Sequence, residues 1–390
     1  MTEWREFKIK DIADVVGGGT PSTAINEYWN GDIPWLTPKD LTGYIRNFIS
    51  HGERFITKKG LENSSARLLP KGTVLLTSRA PIGYVAIAEN EICTNQGFKS
   101  LVPNPDKAHN LFLLYWIKSN VEYLQSIGTG TTFQEISGSV LKDVDIILPP
   151  LPEQKAIAEV LSSLDDKIDL LTRQNKTLED LAQAYFRKWF IEDASKEWEV
   201  VPISKKFDVL LGGTPSRKIE SYWTNGTIGW INSGKINEFR IIEASEYITE
   251  EALNNSSAKL LPAGTTVLAI TGATLGKISM VLRSFAANQS VIGLVPKAEL
   301  SNNFIFLWLK ENINALISMQ TGGAQQHINS NDVKSFDVIV PDTVALSLFR
   351  RKIDPLMLKI SQNCFQINTL NKLRDTLLPK LISGEIRVKM

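Results

Sequence analysis

The stretch PPLPEQKAIAEVLSSLDDKIDLLTRQNKTLEDLAQAYFRKWFI, residues 149–191, decides how the rest of this chain is organised. Three prolines lie at its start, where they suit the end of a strand and the first turn of a helix but no helix interior. Apolar residues then recur at spacings of four and three, which is the heptad seam of a helix that packs against another helix. The seam consists of Ile157, Leu161, Leu164, Ile168, Leu171, Asn175, Leu178, Ala182, Tyr185 and Trp189.

A second seam of the same spacing lies near the C-terminus, so the chain carries its own partner helix. Its members are Phe349, Ile353, Leu356, Ile360, Asn363, Ile367 and Leu370. A single seam would also fit an ordinary amphipathic helix on a globular core, but two matching seams favour a helix pair. Asp354-Pro355 and the equivalent Ser162-Ser163 are capping types, which predicts one break in each helix. The long parts are expected at about 163–190 and 355–378.

The composition indicates a globular protein of two or more domains, since 390 residues exceed one ordinary domain. The longest apolar run, Leu111 to Ile117, is far too short to span a membrane. Cys93, Cys364 and three scattered histidines show no metal-ligand spacing, so we expect a reduced, cytoplasmic protein without structural metal. The net charge of +1 means that any nucleic-acid site needs clustered basic residues, or charge from a partner subunit.

The chain contains two copies of one repeated unit. GGTPS at 18–22 recurs at 212–216, and NSSARLLPKGT at 63–73 recurs as NSSAKLLPAGT at 255–265. Short β-branched segments bounded by Gly or Pro predict that each unit is mainly β. A helical segment rich in aromatic residues lies near the end of each unit, and we interpret its aromatic side chains as core packing.

Motifs that carry chemistry are missing from the sequence. There is no phosphate-binding loop, no paired Cys or His spacing and no nucleophile elbow. Gly17-Gly18-Gly19 is followed by Pro21 and is interpreted as a turn. Two like, non-catalytic units held apart by a rigid helix pair suit a ligand with repeated, spaced features, and duplex DNA is the commonest such ligand.

Several segments of the sequence resemble a known family. PPLPEQKAIAEVLSSLDDKI follows a β unit that contains GTVLLTSRAPIG and NQGFKSLVP, and LLPKLISGEIRV stands at the C-terminus. Together they are similar to the specificity subunit of type I restriction-modification systems over essentially the whole chain. The resemblance implies an α+β fold in which two similar, mainly β target-recognition domains are joined by two long helices in an antiparallel coiled coil, with a pseudo-twofold internal repeat. The implied domains are 1–150, 151–192 (first helical region), 193–340 and 341–390 (second helical region).

The resemblance also implies partners. Each recognition domain would read one half of a two-part site on double-stranded DNA, and the helices would dock two modification (methyltransferase) subunits. Those subunits bind S-adenosylmethionine and methylate adenine, and restriction subunits that use ATP and Mg²⁺ join them. The chain itself would hold no cofactor or metal and would not be catalytic. PDTVALSLF in the second copy departs from PPLPEQKAI, so the two helical regions need not contact partners identically.

Comparison of the two copies suggests which residues read DNA. Positions that match, such as Asn95/Asn288 and Gln96/Gln289, are expected to be scaffold first, whereas polar positions that differ are better candidates for specificity. The differing positions are Lys39 and Asp40 against Gly234 and Lys235, Arg79 against Gly272, and Phe133-Gln134-Glu135 against Gln325-Gln326-His327. The candidate DNA-binding residues are Thr20, Ser22, Lys39, Arg79, Tyr84, Gln134, Thr214, Arg217, Lys235, Lys277, Gln325, Gln326 and His327. Each could equally be an ordinary solvated loop residue.

The helix register follows from the two polar seam members. A buried Asn is costly unless it meets a polar partner, so Asn175 and Asn363 are expected to face each other. This register sets Tyr185 against Ile353 and Trp189 against Phe349. It also sets Leu164 against Arg374, whose stem could lie along the seam while its head reaches water.

Two other functions stay open on the sequence alone. A nuclease or methyltransferase with an unrecognised site would act on DNA unaided. A structural adaptor would use its β modules to bind protein or glycan.

Overall fold

The computed structural model describes residues 3–130, 134–297, 299–319 and 327–389. They form two compact units. Unit 1 comprises Met1–Leu170 and Thr369–Met390, and unit 2 comprises Leu171–Asn368. The units follow packing and so divide both long helices, whereas the domain boundaries drawn from the repeat stay a prediction.

Unit 1 is built from three sheets and short helices. Its strands are β1 Arg5–Lys8, β2 Ala13–Gly17, β3 Trp29–Leu36, β4 Phe48–Ile49, β5 Arg54–Ile56, β6 Val74–Ser78, β7 Ile82–Ala88, β8 Cys93–Thr94, β9 Lys99–Pro103 and β10 Asp145–Leu148. Its helices are α1 Ile9–Ile12, α2 Lys58–Glu62, α3 Asn110–Ser119, α4 Val121–Ser126, α5 Gly138–Lys142 and the first part of α6 Leu151–Arg187. The sheets have the orders β2-β9-β6-β7-β4, β5-β3-β8 and β1-β10.

Unit 2 repeats this plan. Its strands are β11 Glu199–Pro202, β12 Phe207–Leu211, β13 Ile228–Ile231, β14 Glu246–Ile248, β15 Leu260–Leu261, β16 Thr266–Ala269, β17 Ile278–Met280, β18 Phe285–Ala287, β19 Val291–Pro296 and β20 Asp337–Val340. Its helices are α7 Ile203–Lys206, α8 Glu250–Asn254, α9 Asn302–Ser318, α10 Ser330–Ser335, α11 Thr343–Lys352 and the first part of α12 Asp354–Ser383. The orders β12-β19-β16-β17, β14-β13-β18-β15 and β11-β20 repeat those of unit 1 except at two edges, where unit 1 adds β4 beside β7 and unit 2 adds β15 beside β18. The shared orders confirm the predicted repeat.

The repeated sequence motifs make the same local structures in both units. Gly72 and Gly264 have φ values of +88° and +85°, a conformation that costs Gly nothing and other residues much. Each is followed by the Thr that directly precedes the next strand, and Thr73 and Thr265 donate their hydroxyls to the carbonyls of Pro70 and Pro262. The motif LLPxGT is therefore a turn that starts β6 and β16.

The aromatic helices are buried, as the sequence predicts. Phe112 and Tyr115 of α3 are fully buried in unit 1, and Phe304 and Phe306 of α9 are buried in unit 2. They cover one face of the central sheet in their unit, so their rings serve the core and not a base-stacking surface.

The start of α6 is held by contacts within unit 1. Glu153 is 1% exposed and forms an ion pair with Arg387 of the C-terminal segment. Gln154 donates to the carbonyls of Lys107 and Pro149 and accepts from the amide of His109. At the equivalent positions of the second copy lie Ala345 and Leu346. The departure of PDTVALSLF from PPLPEQKAI thus has an internal reason, because a buried Glu needs its Arg partner.

Only one of the two predicted helix breaks is present. Helix α6 continues through Ser162 and Ser163, so that prediction is wrong. Their hydroxyls donate to the carbonyls of Glu159 and Val160, and without a proline nothing prevents the helix from continuing. The predicted break at Asp354-Pro355 is confirmed, since α11 ends at Lys352 and α12 begins at Asp354.

The two long helices face each other in the predicted register. In unit 2, Asn363 Nδ2 donates to Asn175 Oδ1 at 2.9 Å and to Gln174 Oε1 at 2.8 Å. Asn175 in turn donates to the sulfur of Cys364 at 3.4 Å. In unit 1, Arg374 of α12 bonds Asp165 of α6. The order of these contacts is opposite along the two helices, so the pair is antiparallel.

Two details of the predicted seam are wrong. The buried positions of α6 beyond Ala182 are Phe186 and Phe190, whereas Tyr185 is 37% exposed. Seven residues of an α-helix turn about 20° less than the two full turns of a strict heptad, and the seam moves forward by one residue where α6 meets the core of unit 2. Phe349 therefore packs against Phe186 and Phe190, at ring-centroid distances of 6.2 and 5.8 Å.

The second error concerns Arg374. Its head does not reach water alone but is bound to Asp165 Oδ1 at 2.9 Å and to Asp375 Oδ1 at 2.8 Å. A buried carboxylate in the seam is thus the partner that the sequence pattern did not predict.

Candidate nucleic-acid interface

In unit 1, four loops are joined into one surface by hydrogen bonds. We call residues 17–23, 79–83, 94–98 and 134–136 the unit 1 loop surface. The amide of Gly19 donates to the carbonyl of Thr94 at 2.9 Å, and Thr20 Oγ1 bonds Gln96 Oε1. The amide of Ser78 donates to the carbonyl of Gly97 at 2.8 Å and so ties the loop at 79–83 to the same place.

Unit 2 has the same bonds at the equivalent positions. Its loop surface comprises residues 211–217, 271–276, 287–291 and 327–328. The amide of Gly213 donates to the carbonyl of Ala287 at 2.8 Å, and Thr214 Oγ1 bonds Gln289 Oε1 at 2.6 Å. The matched pairs Thr20/Thr214 and Gln96/Gln289 therefore act as scaffold, and their side-chain bonds hold the loops together.

The repeated glycines allow the loops to approach so closely. A Cβ on Gly18 would lie 2.0 Å from the carbonyl oxygen of Asn95, and one on Gly212 would lie 2.2 Å from that of Asn288. No side chain fits at either position. GGTPS is thus a structural motif of the loop surface, in agreement with the interpretation of Gly17–Gly19 as a turn.

A pair of tryptophans supports the first loop in unit 1. Trp35 Nε1 donates to the carbonyl of Gly19 at 2.9 Å, and Trp29 Nε1 donates to that of Ser22 at 3.1 Å. The two indoles meet edge to face with centroids 5.0 Å apart. The guanidinium carbon of Arg54 lies 3.6 Å from the centroid of Trp29, a close cation–π contact.

Unit 2 has an equivalent pair of tryptophans, and the Arg stacked on it is bound to a carboxylate. Trp223 and Trp230 meet edge to face at 5.3 Å, and Arg217 lies 3.6 Å from the centroid of Trp223. Arg217 Nη1 and Nη2 donate to the two carboxylate oxygens of Glu246, at 2.5 and 2.7 Å. These hydrogen bonds hold the pKa of Glu246 below its usual value. The predicted DNA-binding residue Arg217 is therefore engaged within its own unit.

A charged cluster lies at the edge of the unit 1 loop surface. Arg79 Nη1 and Lys99 Nζ both approach the carboxylate of Glu135, at 3.4 and 3.1 Å. Two cations share one anion, and Arg79 and Glu135 are each about one-third exposed. The cluster can thus present positive charge and further N–H donors to a ligand.

The equivalent of Arg79 differs from the one that the repeat suggests. Arg79 forms an isolated bridge with Glu135, and Thr271 forms the same bridge with His327. Thr271, not Gly272, therefore matches Arg79, and Gly272 matches Ala80, since both have positive φ. The turn of unit 2 has one residue more before Gly276, and this insertion displaces the sequence alignment. The direct comparison of Arg79 with Gly272 is wrong by one position.

The remaining predicted residues occupy varied places. Lys39 pairs with Glu53 at 3.1 Å and Lys235 with Glu238 at 2.7 Å, both near the surface. Tyr84 is half-buried and packs on the core. The side chains exposed in their loops are Ser22, Gln134, Lys277 and His327. Gln325, Gln326 and Phe133 lie outside the described residues. The role of these residues in DNA binding stays a prediction.

Asp40 has a structural task. Its Oδ2 accepts from the Thr37 amide at 2.7 Å and its Oδ1 from the Glu53 amide at 2.8 Å. A carboxylate engaged in this way caps its loop and is poorly placed to read a base.

Sequence reasoning missed Arg54 and Lys99. Both differ in character from their equivalents, Glu246 and Ile292, and a residue-by-residue comparison of the copies in strand register would have found them. The available signal was a difference in charge between the copies, a reversal at Arg54 and a loss at Lys99.

Within residues 3–130, 134–297, 299–319 and 327–389, no group of three His, Cys, Asp or Glu side chains could hold a metal ion. No helix in that part of the chain has the length and apolar character needed to cross a membrane.

Comparison with known proteins gives consistent matches. A family profile described as "Type I restriction modification DNA specificity domain" matches residues 1–180 and 195–345. The MjaIX type I restriction enzyme specificity subunit of Methanocaldococcus jannaschii is 38% identical, over 99% of this chain and 94% of that protein. The HindI specificity subunit of Haemophilus influenzae is 22% identical, over 99% of this chain and 100% of that protein. A solved S subunit of a type I system from M. genitalium has the same fold, with a TM-score of 0.63 and 19% identity over 100% of this chain and 97% of that one.

Proposed function

Because the chain belongs to the family of type I restriction-modification specificity subunits, we propose that each of its two units reads one half of a two-part site on double-stranded DNA. One observation carries this proposal. The two loop surfaces share their hydrogen-bonded framework, yet Arg79, Lys99 and Glu135 of unit 1 are replaced by Thr271, Ile292 and His327 in unit 2. A duplicated reader with a common frame and different exposed side chains suits two half-sites of different sequence.

Arg79 is the residue of unit 1 best placed to read a base. Arg prefers a bidentate bond to guanine, and a good pair is worth about 1–3 kcal/mol of discrimination. Glu135, which also pairs with Lys99, holds the Arg79 side chain at the loop edge without burying it. We therefore assign Arg79 to base reading in the half-site of unit 1, with no counterpart in unit 2.

The first test is Arg79→Ala, assembled with the modification subunits of its own system and expressed in cells. Methylated sites are then mapped by sequencing. We expect relaxed or lost preference at one position of one half-site, while the other half-site is unchanged. Thr271→Ala is the matched control at the equivalent place in unit 2, and Glu135→Gln tests whether the ion pair alone matters. Unchanged site preference in Arg79→Ala would refute this role.

The partners are proposed from the family. The chain would dock two modification subunits that take methyl groups from S-adenosylmethionine and methylate adenine, and restriction subunits that use ATP and Mg²⁺ would join them. Specificity subunits are the non-catalytic members of such systems. We propose that the chain holds no cofactor and acts in the cytoplasm.

The second test separates this function from its alternatives. We expect methyl transfer to DNA only when the chain and the modification subunits are combined, with affinity for DNA that falls steeply as salt rises. Methylation or cleavage by the purified chain alone would identify an enzyme. An assembly without affinity for DNA would favour an adaptor for protein or glycan.

A further inference from the structure

Each unit places an Arg over the equivalent tryptophan, but the two Arg residues come from different positions in the repeat. In unit 1, Arg54 lies opposite Trp35 in the pairing of β5 with β3. In unit 2, the residue opposite the equivalent Trp230 is Glu246. The Arg of unit 2 is Arg217, directly after the repeated GGTPS, where unit 1 has Thr23. Unit 1 thus has its Arg on the strand, whereas unit 2 has its Arg in the loop and a Glu at the equivalent strand position.

The geometry is the same despite this exchange. The guanidinium carbons of Arg54 and Arg217 both lie 3.6 Å from the centroid of the first indole and 5.4 Å from that of the second. Both indole pairs bond carbonyls of the loop that carries Thr20 or Thr214. Two different sequence solutions to one arrangement indicate that the stacked guanidinium is a feature of the fold.

The charge of the arrangement differs between the units. Arg217 is neutralised by its two bonds to Glu246. Among the residues that the structure describes, Arg54 forms no salt bridge, and its guanidinium lies against Trp29 and Trp35. Glu53, the neighbour of Arg54 in sequence, pairs with Lys39, and Glu27 pairs with Lys59. Unit 1 therefore carries one uncompensated positive charge at a place where unit 2 carries none.

We propose that Arg54 binds a phosphate of the DNA backbone in the half-site of unit 1, and that unit 2 has no equivalent contact. This inference rests on the proposed function. Stacking on Trp29 holds the planar guanidinium in place and leaves its N–H edges free for the oxygen atoms of an anion. The neighbouring loop adds the hydroxyl of Ser22, a group that suits phosphate. The two units thus hold their half-sites with unequal electrostatic strength.

The test copies each arrangement into the other unit. The double variant T23R/R54E gives unit 1 the neutral pair of unit 2, and R217T/E246R gives unit 2 the free cation of unit 1. Both keep an Arg available for the tryptophan, and both change the net charge by one. The chain, assembled with its modification subunits, is titrated with a pool of random-sequence DNA duplexes at several salt concentrations.

We expect T23R/R54E to bind roughly three- to tenfold more weakly at low salt, and its slope of log affinity against log salt to be shallower by about 0.9. R217T/E246R should bind more tightly, with a slope steeper by a similar amount. Melting temperatures of the variants identify any that fail to fold. Should T23R/R54E be one of these, R54Q must give the same loss of slope.

The outcomes separate this inference from the function on which it rests. Wild-type assembly that does not bind DNA contradicts the proposed function itself. Binding with an unchanged salt slope in T23R/R54E or R54Q contradicts the phosphate contact alone. A loss confined to some sequences, with the slope unaltered, would identify Arg54 as a base reader and overturn the proposal.

Discussion

Asp165 shows how much one buried residue contributes to unit 1. Its side chain is 6% exposed and accepts from Tyr115 Oη at 2.8 Å and from Arg374 Nη1 at 2.9 Å, with Lys118 Nζ at 3.5 Å. Burial alone would raise the pKa of Asp165, but the charge of Lys118 and the bonds from Arg374 and Tyr115 outweigh it and hold the pKa below its usual value. The carboxylate therefore stays charged and joins α3, α6 and α12.

We predict that Asp165→Asn destabilises the protein by about 1.5–3 kcal/mol at neutral pH, because it removes the charged acceptor that binds Tyr115, Lys118 and Arg374. The folded-state pKa of Asp165 lies below its unfolded value of about 3.9, so its contribution is present above that value and is lost as the pH falls through the folded pKa. Denaturant unfolding at pH 7 and in acid should show the stabilities of wild type and variant converging in acid.

Asp375 provides the control. It bonds the same Arg374, but its side chain is 63% exposed. Exposed ion pairs contribute about 0–1 kcal/mol, so Asp375→Asn should change stability little at any pH. Equal effects of the two substitutions would show that burial of Asp165 is not what matters.

At the scale of the helices, the buried Asn175–Asn363 pair defines how α6 and α12 align. Both side chains are nearly inaccessible to solvent, and each also bonds a residue beside its partner. An Asn that loses its polar partner in such a place leaves a buried group unsatisfied.

We predict that Asn175→Leu or Asn363→Leu alone destabilises by about 1–3 kcal/mol, the cost of the polar group left without its partner. The double substitution should cost less than the two single costs combined, because it removes both polar groups together. Denaturant titration of the four proteins gives the coupling. Strictly additive costs would mean that the hydrogen bond between the two side chains contributes nothing.

The register was predictable because each apolar seam contains one Asn, and the cost of burying it leaves one favourable alignment. The path of α6 was less so. Ser162 and Ser163 are capping types but lie in the helix, where the adjacent turn accepts their hydroxyl hydrogens. The move of the seam from Tyr185 to Phe186 depends on the core that α6 meets in unit 2, which heptad spacing does not contain.

At the scale of the whole molecule, the repeated motifs predicted two like units because GGTPS and LLPxGT are turns whose conformations few sequences allow. The candidate site was harder to predict. One extra residue before Gly276 displaced the alignment at Arg79, and Arg54 and Arg217 reach the same place from different strands and loops. Equivalence in space, and not in sequence, identifies those residues.

Both ends of the described chain lie in unit 1 and meet there. Trp4 packs on Phe112, with centroids 6.5 Å apart, and Arg387 lies 5.6 Å from the Trp4 ring. Arg387 is also the ion-pair partner of the buried Glu153 at the start of α6. The C-terminal segment is thus part of the structure of unit 1, although its sequence, GEIRVKM, has no secondary-structure signal of its own.

We predict that deletion of residues 384–390 destabilises unit 1, because it removes the cation paired with Glu153 and uncovers the start of α6. The effect should be local to unit 1, since the core of unit 2 contains none of the deleted residues. Hydrogen exchange should therefore show lost protection at the start of α6 and in α3, with α9 unchanged. Deletion of residues 389–390 alone keeps Arg387 and serves as the control. Equal loss of protection in α3 and α9 would mean that the C-terminal segment stabilises the chain as a whole and does not act through Glu153.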